Sequence, residues 1–222
     1  MDIMMRARVR QLLQAIDQRS PGDEENVSLS EQGELLVALA TSFYGETVRA
    51  GRAFEVHTTS AVAAVIAMPT TAVLLHIYNN EPDDGRIIIV DRCWGMQIAS
   101  AATAGQCALI GALGQTRVAS PAASLTKTAL NGMGGTDSRV VTSTAALDAV
   151  TGVAGNWRVL PGQTGGTHPG AAATPGMYVN SDVNGRIIVP PGRSFGIHVF
   201  ADAVASTFLV GIEWHEKNAK VG

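Results

Sequence analysis

Near the end of the chain, Phe208, Val210, Ile212 and Trp214 alternate with Thr207, Leu209, Gly211 and Glu213. Period-two alternation predicts a β-strand, because successive side chains of a strand point to opposite faces. Here the second face also carries an apolar residue, Leu209. A strand of this kind needs cover on both sides, from an opposing sheet and from something beyond it. A strand cannot meet that demand alone, so the rest of the chain has to supply sheets.

Comparable runs recur upstream. From residue 35 onward, short stretches rich in Val, Ile and Leu are punctuated by Gly, Pro, Asn and Asp, which is the pattern of an all-β domain. Strands are predicted over 35–40, 53–58, 61–68, 72–78, 86–98, 106–113, 138–144, 156–160, 185–189, 194–200 and 207–214. The segment 79–85, with Pro82, Asp83, Asp84 and Gly85, reads as a hairpin turn or a crossing between sheets. Pro190, Pro191 and Gly192 make a further turn. Between residues 114 and 175 Gly, Ala, Ser and Thr dominate, which predicts long loops with a helical turn over 144–150; in an assembly protein such loops are ordered by neighbours.

The beginning differs. Val9, Leu12, Leu13 and Ile16 recur at three- and four-residue spacings, so an amphipathic helix is expected over 3–16. Ser20, Pro21 and Gly22 end it, and a polar linker follows over 23–30. Isolated helices shorter than about 12–15 residues are marginal in water, so this one calls for a partner surface.

Composition narrows the function classes. The chain is 46% hydrophobic and 16% charged, against roughly 25% charged in an average soluble protein. With so few charges it either crosses a membrane or covers part of its surface with something else. A membrane-spanning helix needs about 20 consecutive apolar residues, and the longest such run, 61–68, is far shorter. The first residues, with Arg6, Arg8 and Arg10 among the apolar ones, do not read as a signal peptide. A net charge of −3 offers no basic footprint for nucleic acid. Cys93 and Cys107 have neither disulfide-framework nor metal-ligand spacing and read as small buried hydrophobes.

Ser194 sits in a Gly-x-Ser-x-Gly match, but a nucleophile elbow needs a strand before the serine and a helix after it. Here Pro190 and Pro191 precede it and a β pattern follows. His57, His76 and His198 each lie in an apolar strand run and could converge as a three-histidine metal site, although strand histidines are commonly just buried and hydrogen-bonded. Asp83 and Asp84 suit a turn better than a carboxylate pair. Residues 111–116 resemble a phosphate loop but lack its lysine and helix. Trp214 can anchor a subunit contact or close the core.

The segment Arg186-Ile187-Ile188-Val189-Pro190-Pro191-Gly192-Arg193-Ser194-Phe195-Gly196-Ile197-His198, read as a C-terminal hairpin, and then Phe208-Leu209-Val210-Gly211-Ile212-Glu213-Trp214-His215-Glu216, resembles the closing strands of jelly-roll virion proteins of tailed bacteriophages. These are similar to capsid decoration (cement) and fibre-base proteins, which commonly form trimers. The resemblance implies an antiparallel β-sandwich of jelly-roll type over residues 35–222, preceded over 1–34 by the helix and a linking arm. It implies a structural protein with no enzymatic role and no cofactor, made in the host cytoplasm and built into the virion. Its partners would be sister copies, a trimer first among the options, and the major capsid or other virion proteins. Expected contact residues are Val9, Leu12, Leu13 and Ile16 in the arm, with Phe208, Val210, Ile212 and Trp214 as sandwich or trimer contacts. The main rival is a carbohydrate- or receptor-binding β-sandwich module using the loop aromatics Trp157 and Tyr178. A third reading is a metal-dependent β-barrel enzyme built on His57, His76 and His198.

Overall fold

The alternating runs become long antiparallel ladders. The computed structural model describes residues 43–70, 72–99, 105–114, 119–133, 138–145, 147, 156–164, 167–168, 177–202 and 206–218, all within a compact unit, Phe43–Ala219. The expected helix over 3–16, its linker and the strand over 35–40 lie outside the described residues, as does most of the helical turn expected over 144–150. Within them the chain is mainly β, with one short helix, α1 (Phe43–Arg49), and two antiparallel sheets packed against each other.

Among the described residues, one sheet is seven-stranded, in the order β6 (Thr128–Ala129), β1 (Ala53–His57), β13 (Thr207–Asn218), β4 (Arg86–Ala99), β11 (Tyr178–Val189) and β9 (Gln163–Thr164), with β2 (Val62–Ala63) also pairing with β13. The other is six-stranded, in the order β10 (Thr167–His168), β5 (Gly105–Leu113), β12 (Ser194–Ala201), β3 (Leu75–Asn79) and β7 (Val140–Ser143), with β8 (Trp157–Val159) also on β5.

Consecutive long strands change sheets at each step from β3 through β5 and again from β11 through β13. The 79–85 segment is therefore a crossing. The C-terminal strand-turn-strand segment is likewise not a hairpin: β11 pairs with β4, whereas β12 pairs with β3 and β5. Pro190 and Pro191 have no amide hydrogen to give a ladder, and Gly192 at φ 74° turns the chain toward the other layer.

The strand β11 starts at Tyr178 rather than at residue 185. Asn180, Ser181 and Asp182 look like loop formers, yet they sit opposite Trp94, Cys93 and Arg92 on β4. The turn-like pair Asn184 (φ 49°) and Gly185 (φ 75°) is a bulge within the strand, where the register shifts between Asp182 and Ile187. Of the strand expected over 61–68, only β2 and a parallel bridge from Val65 to Phe200 form, and that segment passes from one sheet to the other.

The core lies between the sheets. Phe208, Val210, Ile212 and Trp214 on β13 are all 0% exposed, and Phe54 stacks on its cross-strand partner Trp214 at 5.8 Å. Facing them are Leu75, Ile77, Leu109, Phe195, Ile197 and Val199. Each such side chain removed from water contributes about 1.5–3 kcal/mol. Of the two roles open to the β13 residues, the structure gives them the sandwich role, and their side chains leave no surface for a partner.

Polar groups trapped at the crossings are bonded. Buried Asn79 donates from Nδ2 to the carbonyls of Arg86 and Val189, both at 2.9 Å, and accepts from the Glu81 amide at Oδ1. Its backbone bonds Arg193 and Gly192, so one residue ties together the ends of β3, β4, β11 and β12. Gln163 stitches the layers: its side chain accepts from the Leu109 amide at 2.9 Å and donates to the Leu109 carbonyl at 2.7 Å. Glu216, 1% exposed, accepts from Ser138 Oγ and pairs with Arg86 at 3.3 Å.

Replacing Asn79 by Ala strands two buried carbonyls, each costing about 1–3 kcal/mol. The urea midpoint of N79A should fall accordingly with an unchanged m-value. N79D, which keeps the shape but loses both donors, should fall similarly; a wild-type midpoint for both would refute the clamp.

Candidate functional site

The two outer faces of the sandwich are treated differently. Over the six-stranded sheet, Ile110, Ala112, Leu147 and Trp157 form a second apolar cluster, with Val65, Val73 and Phe200 packed against it. The indole of Trp157 donates to the Thr70 carbonyl at 3.4 Å, which ties the covering segment down. The chain thus supplies its own cover for that face.

Among the described residues, the outer face of the seven-stranded sheet carries no such layer, and several large apolar side chains stand exposed on it: Met96 (38%), Tyr178 (41%) and Ile188 (45%). The ladder register sorts its central part into rows. Leu209, Met96 and Tyr178 lie abreast on β13, β4 and β11. The next row is His57, Gly211, Trp94 and Asn180, and after it come Glu55, Glu213, Arg92 and Asp182. Past a bulge between Glu213 and Trp214 the face becomes aliphatic again, with Ile89 opposite Ile188 on one side and His215 on the other.

Gly211 makes room for Trp94. A Cβ at position 211 would stand 2.3 Å from Trp94 Cε2, so the indole rests on bare backbone there. The rings of His57 and Tyr178 flank it, with centroids at 6.3 and 6.2 Å and planes inclined by 33° and 22°. Arg92 holds the neighbouring row: Nε donates to Asn180 Oδ1 at 2.7 Å, Nη2 to Tyr178 Oη at 2.5 Å, and Nη1 to Glu213 at 3.4 Å. Its guanidinium also lies 5.7 Å from the Tyr178 ring centre, in cation-π range. Asn180 in turn donates to Asp182 at 2.9 Å.

Glu213 and Glu55 are direct cross-strand partners, an arrangement that like charges disfavour. Burial raises the pKa of Glu213 above the ordinary carboxylate value, Arg92 opposes this, and Glu55, Asp91 and Asp182 add to it. The Tyr178 phenol is also raised, by burial first and against Arg92. Beyond the bulge, His215 bonds Asp91 at 2.8 Å.

The structure separates the three strand histidines. His57 stands exposed on the outer face of the seven-stranded sheet, whereas His76 and His198 are buried on the far side of the six-stranded one, so the three do not converge. Burial lowers the pKa of both His76 and His198, against backbone hydrogen bonds involving Ala145 and Val199 respectively. Ser194 is buried and opens a strand, not a helix. Asp83 and Asp84 are exposed in the crossing turn, where the Gly85 amide donates to the Pro82 carbonyl. Cys93 and Cys107 are both buried free thiols, with the Cys107 pKa raised to about 11 by burial. Trp157 is 6% exposed inside the second cluster and offers no ring to a ligand, unlike Tyr178. Val9, Leu12, Leu13 and Ile16 lie outside the described residues. Sequence reasoning missed Trp94, Arg92 and His57 as neighbours of Tyr178; the alternation of Arg92, Trp94, Met96 and Ile98 along β4 was the available signal. No family model matches this chain, and no curated protein matches it.

Two pH dependences follow. His76 and His198 bind protons less readily folded than unfolded, so their stabilising contribution is complete above about pH 6.5 and lost on acidification below it. Urea midpoints should drop between pH 7.5 and 5, and an H76Q/H198Q variant should lose that part of the slope. Glu213 has the opposite sign: its contribution is present below the unfolded carboxylate pKa and lost as pH rises through the raised folded value. E213Q should therefore gain on wild type with rising pH, and a difference that shrinks instead would contradict the assignment.

Proposed function

We propose that this chain is a structural, non-catalytic protein of a tailed-bacteriophage particle, a jelly-roll β-sandwich that assembles with sister copies, as a trimer, and decorates or stabilises the capsid or neck. The outer face of the seven-stranded sheet carries the reading: Ile188 is 45% exposed there beside half-buried Ile87 and Ile89. Exposed apolar side chains grouped in this way mark contact surfaces.

The strand order supports the jelly-roll form. The orders β1-β13-β4-β11 and β3-β12-β5-β8 are those produced when eight strands wind through two Greek keys into two sheets. Jelly rolls serve in viral capsids and in lectins alike, so the fold supports the virion role by analogy, beside the resemblance of residues 186–198 and 208–216. In this reading Ile87, Ile89 and Ile188 meet a sister copy or the particle surface, and Val9, Leu12, Leu13 and Ile16 extend the contact. A specific contact of this kind buries more than about 1,000 Å² in total.

Light scattering coupled to size exclusion on the whole chain tests this. The expected mass is that of a trimer, and Ile188→Asp should shift it toward the monomer while circular dichroism stays unchanged. A wild-type chain that remains monomeric at high concentration would sink the assembly reading.

A further inference from the structure

We propose that the row of rings His57, Trp94 and Tyr178, bordered by Asn180, Arg92 and Glu213, is a binding site for an uncharged hexopyranose chain. The ring centroids, 6.2 and 6.3 Å apart, are wider than a face-to-face sandwich and fall in the range of offset aromatic pairs. The Trp94 indole lies against Gly211, whose lack of a side chain makes room for it. Tyr178 is 41% exposed and His57 is exposed as well.

A pyranose offers two chemistries, an apolar C–H face and an edge of hydroxyls. The π-face of an aromatic ring is electron-rich and apolar and suits the former. Alongside the rings stand planar groups that suit the latter: the Asn180 amide, the Arg92 guanidinium and the Glu213 carboxylate, already held in orientation by their mutual hydrogen bonds. The ring-to-ring spacing is close to the length of one sugar unit, so an extended chain can place successive units on successive rings.

Charge narrows the ligand. Glu55, Glu213 and Asp182 share their row with one cation, Arg92, which repels uronates, sialates and other anionic sugars. The site is separated from the aliphatic patch at Ile188 by this ionic row, so it does not rest on the assembly reading.

The three tryptophans of the chain make the test specific. Trp157 is 6% and Trp214 0% exposed, so a ligand-induced change in indole emission reports Trp94. The whole chain should be titrated with gluco-, manno- and galacto-oligosaccharides, with N-acetylglucosamine oligomers, and with polygalacturonate as the anionic arm. A saturable emission change with at least one neutral oligomer and none with polygalacturonate is expected. Tyr178→Ala and His57→Ala should each weaken binding about three- to tenfold, as loss of one aromatic contact does, with unchanged circular dichroism and Tm; Ile188→Asp should bind as wild type. The proposal is overturned if no neutral oligomer acts at millimolar concentration, if both ring variants bind as wild type, or if the anionic polymer binds equally. It is also overturned if the ring variants change the scattering mass while saccharides leave the emission unmoved, since the rings would then form a subunit contact.

Discussion

The burial of one side of β13 organises this molecule. Phe208, Val210, Ile212 and Trp214 point from a central strand into the space between the sheets and are fully removed from water. Four large side chains in one row can be sheltered only by a second layer, which comes mainly from Leu109, Ile197 and Val199. Because β12 precedes β13 in the chain and lies in the opposite sheet, the polypeptide has to cross between layers at almost every turn.

Crossing carries a polar cost. Each passage leaves backbone carbonyls and amides at a strand end without a ladder partner, and such groups destabilise a fold by about 1–3 kcal/mol when buried unpaired. Asn79 meets this cost at the junction of four strand ends, and Gln163 meets it between β5 and the edge of the other sheet. These amides make register a matter of hydrogen-bond geometry as well as of hydrophobic pattern. A slip of one residue in β3 would move Asn79 to the wrong face and take Ile77 out of the space between the sheets.

The two outer faces differ in what packs on them. Val65, Val73, Leu147 and Trp157 pack over the six-stranded sheet, where two polar strand residues, His76 and His198, are interior groups. On the outer face of the seven-stranded sheet Arg92 is bonded to three neighbours and Trp94 is seated against a glycine. Ordered side chains on an open face lose little conformational freedom on binding.

Much of the strand content was legible in the residues themselves. The alternation of 207–214, 194–200 and 86–98 announced β13, β12 and β4, because which side of a strand a residue occupies is settled by local covalent geometry. The early part of β11 was hidden, since Asn180, Ser181 and Asp182 carry turn chemistry and only their partners on β4 hold them extended. Likewise, the sequence pattern showed that β13 needed cover on both sides and had no means of saying which chain would provide it. The sequence by itself determined the β class, the alternation along β13 and the places where the chain turns. Only the tertiary structure decided that His57 and His76 face opposite ways out of the sandwich and that Trp157 is buried while Trp94 lies beside Tyr178. Those outcomes depend on contacts between residues distant in the chain, and no local periodicity encodes them.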